Sequence, residues 1–216
     1  MIKGIHITFA GQRFTLLPDR AIWWPSEKTL IVADVHIGKA ATFRARGVPV
    51  PSGITAKDLK RLSALIEKTN ATRLLVLGDF VHAREAHQMR DDVFDWRQQH
   101  ADTRMQVVLG NHDKRAGAWD ALLRIEELDA PHVEHDIALT HDPDEPSDLP
   151  LIAGHIHPAV RLTDFDGSGV NVPCFVVEER RIVLPSFGTF TGGVKMPHAA
   201  GRKLYAAAAG KVVLAS

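Results

Sequence analysis

Short apolar runs recur along the chain, each stopped by glycine, proline or a charged residue, and between several of them lie stretches with helical apolar spacing. Ile5 to Phe9, Arg13 to Leu16 and Ala21 to Trp24, separated by turn-type Gly11 and Pro18, predict a small antiparallel start. Lys28 to Ala33 is a compact strand, followed by a Gly/Pro-punctuated loop from Gly38 to Gly53. A helix from about Thr55 to Lys68 precedes the apolar run Arg73 to Leu77, and a second, about Ala86 to Gln99, precedes Met105 to Leu109. A third is expected from Gly117 to Asp129. Helices alternating with buried strands at this spacing predict crossover units joining parallel strands.

From Pro131 the pattern turns to strands: His132 to Thr140, Leu151 to Ala153, Val160 to Thr163, Val172 to Glu178, Arg181 to Leu184, and a hairpin of Leu204 to Ala208 with Val212 to Leu214. Asp142 to Pro150, acidic and proline-rich, is expected to be an exposed loop. The fold class is therefore α/β, with two sheets packed face to face as a β-sandwich and helices flanking them. No repeat or linker divides the 216 residues, which suggests one domain over 1–216.

Composition narrows the function classes only slightly. A 45% hydrophobic, 24% charged chain of zero formal net charge is an ordinary globular protein, and any nucleic-acid binding must rest on local patches. The single cysteine, Cys174, rules out an internal disulfide framework and a four-sulfur zinc site, and amid β-type residues it is expected to be buried and inert. Without a signal-like N-terminus or a long apolar stretch, the expectation is a cytoplasmic chain with no membrane partner.

Candidate chemistry sits in five short motifs: Asp34-Val35-His36, Gly78-Asp79, Gly110-Asn111-His112-Asp113, Thr140-His141 and Gly154-His155-Ile156-His157. Together they offer eight oxygen and nitrogen donors, and the first three begin where predicted parallel strands stop. Sites in open α/β sheets form beyond such strand ends. Carboxylate, imidazole and amide oxygen suit Mn, Fe or Zn, and an Asp between two ions can bridge them. Hydrolysis at phosphorus is the chemistry such a pair serves.

These residues resemble the calcineurin-like metallophosphoesterase superfamily from about Lys28 to Pro158. The resemblance implies an αββα fold with two divalent metal ions, expected to be Mn2+ with Fe or Zn as alternatives. One ion would sit on Asp34, His36, Asp79 and His157, the other on Asp79, Asn111, His141 and His155, with Asp79 bridging. His112 would be the catalytic general acid, a role that imidazole chemistry independently permits. The family's protein phosphatases orient this histidine with an Asp three residues after the bridging Asp, where this chain has His82. Trp23-Trp24-Pro25, Asp34 to Lys39, Gly78 to His82 and Leu184 to Gly193 carry a longer resemblance, to ligase-associated DNA damage response endonucleases. It implies a phosphodiesterase cutting DNA beside a DNA ligase, a helicase and an exonuclease.

Lys39, Arg44, Arg46, Arg84, Lys114 and Arg115 follow the motifs and could meet backbone phosphates. Lys39, Arg44, Arg46 and His82 are the candidate substrate contacts. Each also has a plainer reading, the basic residues as a solvated loop and His82 as support for a ligand or for His112. Asp113 either orients His112 or caps the next helix. Phe43, Phe187 and Phe190 either stack a base or pack a corner, and Trp23 and Trp24 are expected in the core. His6, His87, His100, His132, His135 and His198 are expected at surfaces or turns. The competing functions are a phosphomonoesterase or cyclic-nucleotide phosphodiesterase on a small substrate, for which Gly38 to Gly53 would form a lid rather than an open rim, and a non-catalytic scaffold.

Overall fold

A computed structural model describes residues 2–82, 90–116, 123–163 and 168–215. The first sheet opens as an antiparallel meander of β1 (Ile5–Phe9), β2 (Gln12–Leu17), β3 (Ala21–Trp24) and β4 (Thr29–Val32). After α1 (Lys39–Ala45) and α2 (Ile54–Thr69), β5 (Arg73–Leu77) joins parallel to β4. Next come α3 (Arg90–Gln99), β6 (Arg104–Val108), α4 (Asn111–Ala116) and β7 (Ile125–Leu128), and the sheet order follows the chain from β1 to β7.

Its central strands are apolar throughout because both faces are covered. Leu30, Val32, Leu74, Val76, Met105 and Val107 pack with Leu59, Leu62, Leu65 and Ile66 of α2 and with Val93 and Trp96 of α3. Ile31, Ala33, Leu75, Leu77 and Val108 point the other way, into the space between the sheets. Trp23 and Trp24 divide between these two cores, as adjacent strand residues must. Each fully buried aliphatic side chain contributes about 1.5–3 kcal/mol.

The second sheet contains β8 (His132–Glu134), β9 (Ile137–Leu139), β10 (Leu151–Ala153), β11 (Pro158–Thr163), β12 (Gly169–Val177), β13 (Arg181–Val183), β14 (Val194–Lys195), β15 (Lys203–Ala208) and β16 (Lys211–Leu214). Its main path runs β14-β11-β12-β13-β10-β9-β8, with β15 pairing β12 and β16. Within it β10 pairs parallel with both β9 and β13. Ile137, Leu139, Ile152, Phe175 and Ile182 fill the sandwich, while Cys174 lies on the other face with Val160, Val176 and Leu204. At one edge Arg73 of β5 reaches across to Glu134 of β8 through a paired contact, Nη1 to Oε1 and Nη2 to Oε2, both 2.6 Å. No described helix is long and apolar enough to cross a membrane.

Three expectations need correction. The Gly38 to Gly53 segment is not all loop, because it contains α1, whose Ala40, Ala41 and Thr42 are buried. The strand expected from His132 to Thr140 is a hairpin, broken where His135 and Asp136 both take positive φ, 50° and 58°. Within the helix expected from Gly117 to Asp129, residues 125–128 form β7, an edge strand parallel to β6, and 117–122 lie outside the described residues. Ile125 and Leu128 have helical spacing, but pairing to β6 and the Arg104–Glu126 ion pair decide the outcome. A helix begins earlier, at Asn111 inside the third motif. The start of the second helix, Arg84 and His87 also fall outside the described residues.

Candidate metal centre

All five motifs, not three, follow the carboxyl ends of parallel strands: β4, β5 and β6 in one sheet, β9 and β10 in the other. Where the sheets pack, the two sets of loops meet. The turn from strand to ligand is sharp, and Asp34, His36, Asp79, His155 and His157 adopt φ of 55°, 54°, 52°, 72° and 48°. Such left-handed residues cost about 1–3 kcal/mol each and persist only where surrounding bonds enforce them. Here Asp34 N–H donates to Gly78 O at 3.1 Å, His36 N–H to Asp79 O at 2.8 Å, and Gly154 N–H to His141 O at 3.1 Å.

The side chains converge accordingly. Asp34, His36 and His157 form one group able to hold an ion, and Asp34, Asp79 and His141 another. His36 Nε2 lies 3.2 Å from His157 Nε2, and Asp34 Oδ1 lies 3.4 Å from the same His157 atom. Asp34 is common to both groups, and Asp79 Oδ2 of the second lies 4.0 Å from His36 Nε2 of the first and 3.6 Å from His141 Nε2. On the second side His141 Nε2 faces Asn111 Oδ1 at 3.2 Å and His155 Nδ1 at 3.0 Å. Asp34 and Asp79 also brace the backbone, Asp34 Oδ2 accepting from His155 N–H and Asp79 Oδ1 from His112 N–H, both 2.9 Å.

This set fits divalent cations. Asp34 Oδ1 is fully buried and accepts no hydrogen bond, which is costly for a carboxylate unless a cation meets it. Burial, and then the neighbouring Lys39, His157, His112 and His82, hold His36 in the neutral form that a metal ligand needs. Burial pushes the Asp79 carboxyl above its ordinary value, against the pull of His141, and a cation bound beside it would favour the charged form.

His112 stands beside these ligands, half-buried, with Nε2 4.0 Å from Asp79 Oδ2. Its Nδ1 lies 2.7 Å from the backbone carbonyl oxygen of His82, and the His82 ring stacks on it with centroids 4.5 Å apart. A main-chain oxygen, not a side chain, thus engages His112 Nδ1. The Asp113 carboxylate is engaged by backbone rather than by the His112 ring. It accepts from Gly110 N–H at 3.1 Å, closing the first turn of α4, and from Val81 N–H at 3.0 Å, tying two motif loops together. Burial raises its pKa to about 6. The Gly-Asn-His-Asp spacing carried the capping half of this, but not the tie to Val81.

Lys39 stands within electrostatic range of His36, Asp34 and Asp79; burial lowers its pKa while Asp34 and Asp79 pull it back up. Arg44, Arg46, Lys114 and Arg115 are exposed, and Arg44 donates to Pro51 O at 3.0 Å. Phe187 is fully buried beneath Arg61, whereas Phe190 meets Phe43 edge-on at 5.4 Å beside the centre. Several other histidines find partners elsewhere: His6 with Thr15, His100 with Ser63, His132 with Glu134 and His135 with Glu27.

Two packed sheets that aim carboxylates, imidazoles and an amide from strand ends into one cleft define a metal-dependent phosphoesterase. The chain matches the calcineurin-like phosphoesterase family over residues 27–165 and belongs to it, a family built around a dinuclear metal site. The crystal structure of Pseudomonas putida nuclease MPE is similar to it over nearly its whole length, at 39% identity, with a TM-score of 0.84, covering 95% of this chain and 97% of that one. No curated protein matches the chain.

Proposed function

We propose that this chain is a DNA nuclease that hydrolyses phosphodiester bonds with two divalent cations, Mn2+ in the first instance. The observation that carries the reading is the near full-length similarity to a nuclease, with 39% identity across 95% of the chain. Asp34, His36, Asp79 and His157 would hold one ion, and Asp79, Asn111, His141 and His155 the other. When bound, such a pair supplies an activated water and neutralises charge on the phosphate.

The chain's own groups do the rest. His112 presents Nε2 toward the centre because Nδ1–H is engaged by His82 O, so Nε2–H is the proton available to a leaving oxygen. Asp79 fixes His112 further through its backbone N–H. Lys39 offers positive charge at the ligand edge, and Arg44, Arg46, Lys114 and Arg115 are placed to meet flanking phosphates. Residues 44–49 are exposed, which supports an open basic rim over a closing lid and so a polymer over a small substrate. A role in DNA damage response beside a ligase, a helicase and an exonuclease is the setting that the sequence resemblance suggests.

The test is a panel on Mn2+-loaded protein: bis-p-nitrophenyl phosphate, p-nitrophenyl phosphate, cyclic nucleotides, and linear and circular DNA of both strandednesses. Cleavage of circular DNA and of the diester, abolished by chelation, is expected. Turnover of monoesters or cyclic nucleotides with intact DNA would overturn the nuclease reading.

A further inference from the structure

The segment Leu184-Pro185-Ser186-Phe187-Gly188-Thr189-Phe190-Thr191 supplies none of the candidate ligands, yet it lies against the first of them. Phe187 N–H donates to Ala33 O at 2.8 Å, Gly188 N–H to Asp34 O at 3.0 Å, and Ser186 Oγ–H to the same Asp34 oxygen at 2.7 Å. Contact is so close that a Cβ on Gly188 would stand 2.5 Å from Val35 O and 3.2 Å from Asp34 O. The carbonyl so gripped belongs to a residue held at φ 55°.

Arg20 donates to Ser186 O at 3.5 Å and to Gly188 O at 3.4 Å, and a partly buried charged network on α2 holds the segment from the other side. Asp58, 4% exposed, accepts from Thr189 N–H at 3.0 Å and from Thr189 Oγ–H. Arg61 pairs with Asp58 at 3.3 Å, donates to Thr189 Oγ1 at 3.1 Å and to Phe187 O, and lays its guanidinium 4.0 Å over the Phe187 ring. A buried ion pair is weak support for stability, since apolar residues of similar volume commonly do as well. Its directional bonds do fix position: apart from the Arg61–Asp58 pair itself, each of these contacts ends on the segment that grips Asp34.

We propose that Asp58, Arg61, Thr189 and Ser186 are positioning residues for the metal centre: they lock Asp34 in its left-handed turn so that its carboxylate and His36 aim at one point. Deepening the dinuclear reading above, this rests on it. The partners of metal ligands are ordinarily worth about 10–100-fold in metal affinity, and this network acts one bond further out, through the main chain.

Calorimetric titration of the metal-free protein with Mn2+, beside its thermal unfolding midpoint, tests this. Thr189→Val and Asp58→Ala are expected to weaken Mn2+ binding about tenfold or more, and Thr189→Ser to restore it, with KM for bis-p-nitrophenyl phosphate at saturating Mn2+ unchanged. Ser186→Ala removes one hydrogen bond to Asp34 without touching α2, and should weaken Mn2+ binding with the unfolding midpoint retained. Wild-type affinity in Thr189→Val and Ser186→Ala, whatever their midpoints, would overturn the positioning role. Failure of the wild-type chain to bind Mn2+ would instead overturn the metal reading, and this inference with it.

Discussion

His112 is oriented by the main chain of His82, through a contact of 2.7 Å between His112 Nδ1 and His82 O. A carbonyl survives any side-chain substitution, which separates the two histidines experimentally. His112→Ala should lose about 10²–10⁴-fold in turnover of a substrate with a poor leaving group, and much less with p-nitrophenolate, while still binding metal. His82→Ala keeps the carbonyl and loses the stacked ring, so a fall of about tenfold or less is expected. Comparing kcat across leaving groups checks both; a leaving-group-independent loss in His112→Ala would remove its acid role.

Gly110 offers a way to disturb the centre without deleting a donor. A Cβ there would collide with Asp79 Oδ1 and stand 2.5 Å from Asp79 N. Gly110→Ala should therefore push Asp79 out of line and weaken Mn2+ binding by about 10–100-fold, measured by calorimetry. Unaltered affinity would mean that the Asp79 loop moves freely.

Away from the centre, Glu134 links the sheets to a pH-dependent stability. Burial alone would raise its carboxyl, but the hydrogen bonds and charge of Arg73, with His132, outweigh burial and hold it below the ordinary 4.5. As pH falls, the unfolded chain then takes up this proton first, so the contribution is complete above about 4.5 and is lost as pH falls through the lowered value beneath it. Glu134→Gln should cost about 2 kcal/mol at neutral pH in urea unfolding, with the difference from wild type shrinking in acid. A difference constant from neutral pH to acid would show that the pair carries no such linkage.

Cys174 is fully buried, and burial pushes its thiol up to about 12. The native protein should leave an aromatic disulfide reagent unconsumed at pH 8, and guanidinium should release one equivalent of thiol. Rapid native reaction would place Cys174 at a surface.

The residues of the candidate centre were legible because the chemistry is borne by side chains whose types and order are unusual, and because buried parallel strands leave unbroken apolar runs such as Leu74 to Leu77. What stayed hidden was hidden for physical reasons. Ile125 and Leu128 are spaced as on a helix face, and only β6 makes them a strand. His135 and Asp136 form a two-residue turn without the glycine that normally signals one. The support of His112 comes from a peptide oxygen, a group every residue carries. The tie from Asp113 to Val81, and from Asp58 to Thr189, joins residues that only the folded chain brings together.

The meeting of strand ends from two sheets has a thermodynamic consequence. A cation bound as proposed, by Asp79 and His141 together, would touch one residue from each half of the chain and would be held only while the sandwich is closed. Its binding free energy is then also cohesion between the sheets, added to folding in proportion to the logarithm of metal concentration over Kd. In such a protein the catalytic ions would double as a clasp, and the sandwich would part more readily wherever the ions are scarce.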